Sequence, residues 1–351
     1  MPRDHIVPRF LLARWADPET GKIVVWDRRA GREPTEVDPS DHSTVEDFNV
    51  HGLPDGTVDT WLESEFFAGL EDKAAGALKQ LERVQPPMGH IRRLAGQGLK
   101  PFHLLPGRRT AGLAMFIGAQ MVRSPRWRGA IDRATLLDIE TATRAGIEEE
   151  LRAAVNPQET RHLEELLEVR YVAASTDKAM QIQLSGHLAY RIGEILYCRF
   201  LWSVQRFPVP CLVIGDEPVL LVLPSGHQRL GSLADLAVER ELLSIQRGLD
   251  RLVEDVVGIV ASARSVIMPF GPRHALALNA IDSLCLPGRY DRPAEDAKLH
   301  NTLTRLSSHD WAAWRPGMDP QILDAGEIAE LVVESAKPAQ PDAPYMKKRN
   351  W

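Results

Sequence analysis

Three cysteines in 351 residues, Cys198, Cys211 and Cys285, are too few and too far apart for a disulfide framework or a CxxC metal site. They read as core thiols in a reducing compartment. The longest apolar run covers residues 111–122, twelve positions interrupted by Gln120, whereas crossing a bilayer takes about 20. No membrane span or membrane partner is expected. After Met-Pro-Arg-Asp-His the chain is broken by Arg9, Arg14 and Asp17, so the apolar centre of a secretory signal is missing and a cytoplasmic location follows. A Walker A loop, GxGxxG after a strand, HExxH, an EF-hand and GxSxG are also absent. The eleven histidines are scattered rather than paired one helical turn apart. The sequence therefore assigns no metal ligand and names no cofactor.

What is present is the composition of a soluble globular protein, 44% hydrophobic and 26% charged. At this length about three quarters of the unfolded surface is buried on folding, so a core needs neither disulfide nor metal. The net charge of −6 argues against bulk, sequence-independent binding to nucleic acid. Its distribution is uneven. Residues 1–87 hold ten Lys/Arg and seventeen Asp/Glu, net −7; residues 88–133 hold nine basic residues against Asp132 alone, net +8. Residues 134–170 return to nine acids and four arginines. The basic window either pairs with the acidic segments on each side or forms a local anion-binding patch.

Periodicity places a strand at Ile23-Val24-Val25-Trp26 and a long loop over 30–57. Thr60 and Glu63 resemble a capping box, and apolar residues at three- and four-residue spacing carry a helix to about Leu81. Thr110 is a plausible cap for the next helix, over 111–122. That helix is apolar almost all round, must lie inside the protein, and is ended by Pro125. Further helices are expected over 136–155, 158–174, 177–205, 233–261, 294–306 and 322–335, with strands at 211–214, 219–223, 265–268 and 275–278. Gly215-Asp216-Glu217-Pro218 has turn composition, so the strands on either side of it read as a hairpin. The expected fold class is α+β, a mostly helical single domain over 1–335 packed around a small, largely antiparallel sheet, with a disordered tail over 336–351.

Five residues stand out as candidates for chemistry. His5, beside the rigid Pro8 and the anchor Phe10-Leu11, could be a positioned general acid or base. Glu65 lies at the edge of a buried helical face, so its carboxylate needs a partner. Gln120 and Arg123, three residues apart on a helix too apolar to face water, form the strongest local constellation. Burying them demands satisfaction by Glu65, by Asp216 or by a ligand phosphate or carboxylate. Asp216 serves either the turn or the chemistry. Pro269-x-x-Pro272 reads as shaping a strand exit.

Taken together, His5-x-x-Pro8 with Phe10-Leu11, Val24-Val25-Trp26-Asp27-Arg28, Glu46-Asp47-Phe48, the helix around Glu65 with Lys73-Ala74-Ala75, Gln120-x-x-Arg123-Ser124-Pro125, Asp216-x-Pro218-Val219, Pro269-x-x-Pro272 and Asn301 resemble, in order and spacing, the bacterial family catalogued as domain of unknown function 4238. The likeness covers roughly residues 5–314. The family usually shows Ser-Asp-Asn-Pro where this chain has Gly215-Asp216-Glu217-Pro218, and a serine where it has Gly271. The resemblance implies a bacterial, cytoplasmic protein and assigns it no particular activity. The residues themselves suggest two functions. One is a hydrolase or nuclease-like enzyme acting on a phosphorylated small molecule or nucleic acid, with His5, Glu65 and Asp216 catalytic and Gln120 and Arg123 binding the ligand. The other is a non-catalytic binding or scaffold protein whose polar residues form a structural network. The sequence does not set an oligomeric state.

Overall fold

The computed structural model describes residues 3–28, 33–46, 48–49, 51–52, 57–83, 104–168, 178–223, 230–233, 249–280 and 288–322. The helices expected over 322–335 and in the first half of 233–261, and the C-terminal tail, lie outside these residues. About half of the chain is helical and 21% is strand, so the fold is α+β.

The chain opens with β1 (Arg3–His5), a short helix α1 (Arg9–Leu12) and a 3-10 turn, Ala13–Trp15. Pro8 starts α1 at the position where its missing N–H costs nothing. Next come β2 (Ile23–Asp27), β3 (Thr35–Val37), β4 (Thr44–Glu46), β5 (His51–Gly52) and β6 (Val58–Asp59). Short strands thus occupy much of what composition alone reads as loop. β1 pairs with β4, placing His5 opposite Thr44.

A π-helical stretch, Leu62–Phe67, leads into α2 (Ala68–Leu81). Helix α3 (Gly107–Val122) begins three residues before Thr110, whose hydroxyl donates to the Leu105 carbonyl at 3.0 Å instead of capping. The chain turns at Arg123 and re-enters helix at once as α4 (Pro125–Ala153), because Ser124 accepts the Trp127 N–H at 3.2 Å and Pro125 fits the first helical position. Pro125 thus starts a helix as well as ending one, and α4 begins eleven residues before the expected 136–155 segment. Helices α5 (Pro157–Glu168) and α6 (Lys178–Arg199) follow.

The segment read as one helix over 177–205 switches to strand at residue 200: β7 (Phe200–Arg206) is a run of large and β-branched residues that joins a sheet. The six-stranded sheet has the order β10-β9-β11-β12-β7-β13, built from β9 (Leu220–Val222), β10 (Leu230–Gly231), β11 (Ser265–Gly271), β12 (His274–Ala280) and β13 (Gly288–Asp291). β11 and β12 cover the two strands expected at 265–268 and 275–278 and pair with each other as an antiparallel hairpin. A four-stranded sheet, β3-β2-β14-β8, uses β8 (Ile214–Gly215) and β14 (Trp311–Trp314). β8 and β9 therefore belong to different sheets, so the hairpin expected across 211–223 does not form. Helix α7 (Leu249–Ser262) precedes β11, and α8 (Asp296–Ser307) precedes β14.

Helix α3 is enclosed on two sides, which is why it is apolar all round. Against α6 it packs backbone to backbone: a Cβ on Gly118 would sit 2.5 Å from the Ala189 carbonyl oxygen, and one on Gly193 would sit 2.9 Å from the Met115 Cα. Against α2 it packs through Gly112, whose missing Cβ faces Lys73. Phe116, Ile117, Leu188, Ile192 and Leu196 fill the space around the contact and are buried.

Candidate functional site

The break between α3 and α4 gathers several of the buried polar groups. Arg123 ends α3 in the bridge conformation (φ −94°, ψ 0°). Its Nη1 donates to Glu71 Oε1 at 2.6 Å, and its guanidinium carbon lies 4.1 Å from the centre of the Phe67 ring. The Arg123 side chain is 1% exposed and that of Glu71 is 24% exposed. A cation against an aromatic face and a charge-assisted hydrogen bond together compensate its desolvation. Sequence reasoning offered Glu65 or Asp216 as the partner. The partner is Glu71, six residues beyond Glu65 and within α2.

The first turn of α4 extends this corner in two directions. Arg126 pairs with Glu217 at 3.3 Å, next to Asp216. Arg128, buried, donates to Asn49 Oδ1 at 2.7 Å and to Gln181 Oε1 at 3.3 Å, with its guanidinium carbon 4.5 Å from the Phe48 ring centre. The Asn49 N–H in turn donates to the buried carboxylate of Asp4 at 2.6 Å, beside His5. Arg128, Asn49 and Asp4 carried no sequence signal, because their partners lie 45 and 79 residues apart and only tertiary packing joins them. The arginines of the +8 window at this corner are thus matched internally.

The five candidates are distributed unevenly around the corner. Asp216 is 8% exposed; its Oδ1 accepts the His309 N–H at 3.0 Å and its Oδ2 the Asp310 N–H at 2.6 Å. Its own N–H donates to the Trp311 carbonyl. It therefore organises the entry to β14. Burial pushes the Asp216 carboxyl up to about 6, against the backbone N–H groups that stabilise the anion. A Cβ on the preceding Gly215 would lie 2.0 Å from the Ser308 hydroxyl and 3.2 Å from its Cβ, so serine cannot stand there without moving Ser308. His5 sits on β1 with Nε2 3.3 Å from the Ser40 carbonyl oxygen. Glu65 is exposed, two residues before the Phe67 that stacks on Arg123.

Gln120 differs from the rest. It is 4% exposed, and neither its amide nitrogen nor its amide oxygen has a hydrogen-bond partner among the described residues. At 100° per residue it lies about 60° around α3 from Arg123 and about 160° from Gly118, so it points away from α6. The same corner thus carries one satisfied cation and one unsatisfied amide. His42, another residue the sequence did not single out, packs edge-on against Trp311 with ring centres 4.5 Å apart, and burial lowers its pKa to about 4.

Because the folded Asp216 carboxyl titrates above its unfolded value, the native state holds the proton more tightly between pH 4 and pH 6. The sign of the linkage is then that this group's contribution favours the fold below pH 4 and declines as pH rises through 6. Comparing urea midpoints of the wild type and Asp216→Asn at pH 4.5 and 7.5 should show the wild type losing ground to the variant at the higher pH. A constant difference would contradict it.

Among the described residues no group of three or more His, Cys, Asp or Glu is gathered to hold a metal ion, and no helix is long and apolar enough to cross a membrane. Cys198 and Cys211 are not disulfide-bonded, and burial raises the Cys211 thiol to about 11, far from a reactive thiolate.

Fold and corner together define an α+β protein whose polar interior is organised around a helix break rather than a standard catalytic motif. The sequence profile of the family described as "Protein of unknown function (DUF4238)" matches residues 3–313, and the chain belongs to that family. No curated protein and no solved structure matches it.

Proposed function

We propose that the α3–α4 corner binds a phosphorylated ligand and that the chain hydrolyses it. The observation that carries this reading is Gln120, a buried amide with both polar atoms unmet among the described residues. Leaving such a group unpaired costs about 1 to 3 kcal/mol, a penalty that a ligand would remove. Arg123 lies on the same side of α3, and a phosphoryl group would compete with Glu71, the more exposed member of that pair, for the guanidinium fork. Asp216, with its carboxyl near 6, is suited to proton transfer near neutral pH, with His5 as a second acid or base and Glu65 as a carboxylate at the exposed edge.

The experiment is thermal melting and phosphate release with nucleoside phosphates and sugar phosphates, on the wild type and on Gln120→Leu. We expect Gln120→Leu to melt at or above the wild-type temperature without ligand, because an apolar isostere removes the unmet amide. It should also lose the ligand-induced rise in melting temperature and any phosphate release. A variant that melts several degrees lower, with no ligand effect in either protein, defeats the proposal.

The contacts of Arg123 and Asp216 favour the second reading, a scaffold in which these side chains lock the α3–α4 corner and β14. It expects no phosphorylated compound to shift either protein.

A further inference from the structure

A second polar constellation lies elsewhere, around His274 at the start of β12. Its imidazole stacks on Phe270 of the Pro269-x-x-Pro272 motif, with ring centres 5.6 Å apart and planes inclined by 23°. Arg14, from the turn after α1, donates through Nε to the Phe270 carbonyl and lies 5.6 Å from the same ring. Across the sheet His274 is in register with Arg206 of β7, and Arg206 is in register with Asp291 of β13. Register partners share a face, as do residues two apart on a strand, so His274, Arg206, Asp291 and Arg289 line one face of one sheet end. Arg273 adjoins His274 in the chain.

The charges here do not balance. Arg14 pairs with Glu82 and Arg289 with Asp291. Arg206 and Arg273 are exposed and, among the described residues, have no ion-pair or side-chain hydrogen-bond partner. Four arginines against two carboxylates leave a local charge of +2, around a half-buried imidazole and against an aromatic wall. Burial, and after it the fields of Arg206, Arg14, Arg273 and Arg289, hold His274 near 4, so at neutral pH it can donate a hydrogen bond without adding charge.

We propose that this sheet end is an anion site for a phosphoryl dianion, either free phosphate or the phosphate of a small metabolite, gripped by Arg206 and Arg273 with Arg14 and Arg289 at its sides. The charge excess equals that of the dianion, and two unpaired guanidinium forks offer the planar donor geometry that phosphate accepts. The site is separate from the α3–α4 corner. Glu71, the partner of Arg123, and Glu82, the partner of Arg14, stand eleven residues apart along α2, about 16 Å at 1.5 Å per residue. The Pro-x-x-Pro motif thereby acquires a purpose beyond ending a strand, because it sets both the ring on which His274 stacks and the carbonyl that holds Arg14.

The test uses the full chain at fixed ionic strength, with inorganic phosphate, glucose 6-phosphate or chloride as the added anion, read by calorimetry and by the NMR titration of His274. Phosphate and sugar phosphate should bind where chloride does not. Either should raise the His274 pKa by about one unit, because a neighbouring dianion favours the imidazolium. Tighter binding of the sugar phosphate identifies a metabolite as the source, and equal binding identifies free phosphate; both support the site. Arg206→Glu with Arg273→Glu should weaken at least tenfold the binding that shifts the His274 titration, and that shift reports this sheet end alone, whatever binds beside Gln120. These two arginines are exposed, so the double variant should fold, and the wild-type titration stands on its own if it does not. No shift of His274 beyond that in chloride, a shift that survives the double variant, or capture of single-stranded DNA that phosphate fails to displace would each overturn the proposal.

Discussion

Replacing Arg123 with alanine is expected to lower the stability of the protein by about 3 kcal/mol, the lower end of the range for breaking a buried pair, because Glu71 keeps a 24% exposed side chain and can rehydrate. The loss has three parts. The Glu71 carboxylate loses its donor, the Phe67 ring loses the cation stacked on it, and a cavity opens at the end of α3, where Arg123 is among the largest fully buried side chains. Denaturant unfolding should show a lower midpoint with an unchanged slope. Arg123→Lys retains the charge but not the planar fork, and should fall between the two. If Arg123→Ala unfolded at the wild-type midpoint, the pair with Glu71 would contribute nothing to the fold, and the guanidinium would be retained for a ligand alone.

Gly118→Ala should destabilise by about 2 to 3 kcal/mol, although alanine is the better helix former by about 1 kcal/mol. The new methyl would lie 2.5 Å from the Ala189 carbonyl oxygen, and a backbone atom inside α6 cannot step aside as a flexible side chain can. The helices must separate, with loss of the packing of Ile117, Leu188 and Ile192 around the contact. Gly146 on α4 is the control, since a Cβ there meets nothing within 4 Å. Gly146→Ala should therefore raise stability by about 0.5 to 1 kcal/mol. Thermal melts of the two variants should move in opposite directions; a rise in both would mean that α3 and α6 are not held at this distance in solution.

Gly118 stands in an apolar run and Gly146 near charged residues, so local pattern separates an enclosed helix from an open one but not how closely two backbones approach. The 3.6-residue spacing of apolar side chains located α2, α3 and α8 to within a few residues, and the all-round apolarity of 111–122 correctly required enclosure. Pro125 reads as a stop because proline cannot continue a helix, although serine before proline is also a helix start. The change from α6 to β7 between Arg199 and Phe200 has no glycine or proline to mark it. Competition between helix and strand there is decided by the sheet that β7 joins. Gly215-Asp216-Glu217-Pro218 has hairpin composition, but the chain uses it to pass from one sheet to the other. At the polar corner, the burial of Gln120 and Arg123 followed from their place on an apolar helix. The choice of Glu71 over Glu65 depended on how α2 crosses α3, and Arg128, Asn49, Asp4 and the arginines around His274 meet only through tertiary contacts.

The position of β14 bears on how the molecule is made. It lies between β2 and β8, with Trp314 opposite Val24, so a strand near residue 314 completes a sheet begun near residue 24. During synthesis β2 and β3 leave the ribosome almost three hundred residues before their neighbour exists, with one edge of β2 unpaired. Closing so long a loop makes assembly slow relative to helical pairs such as α3 and α6. Asp216, by holding the backbone of His309 and Asp310, brings β14 to its slot. Chains released before residue 311 would carry a half-built sheet, the kind of nascent product that chaperones and proteases compete for.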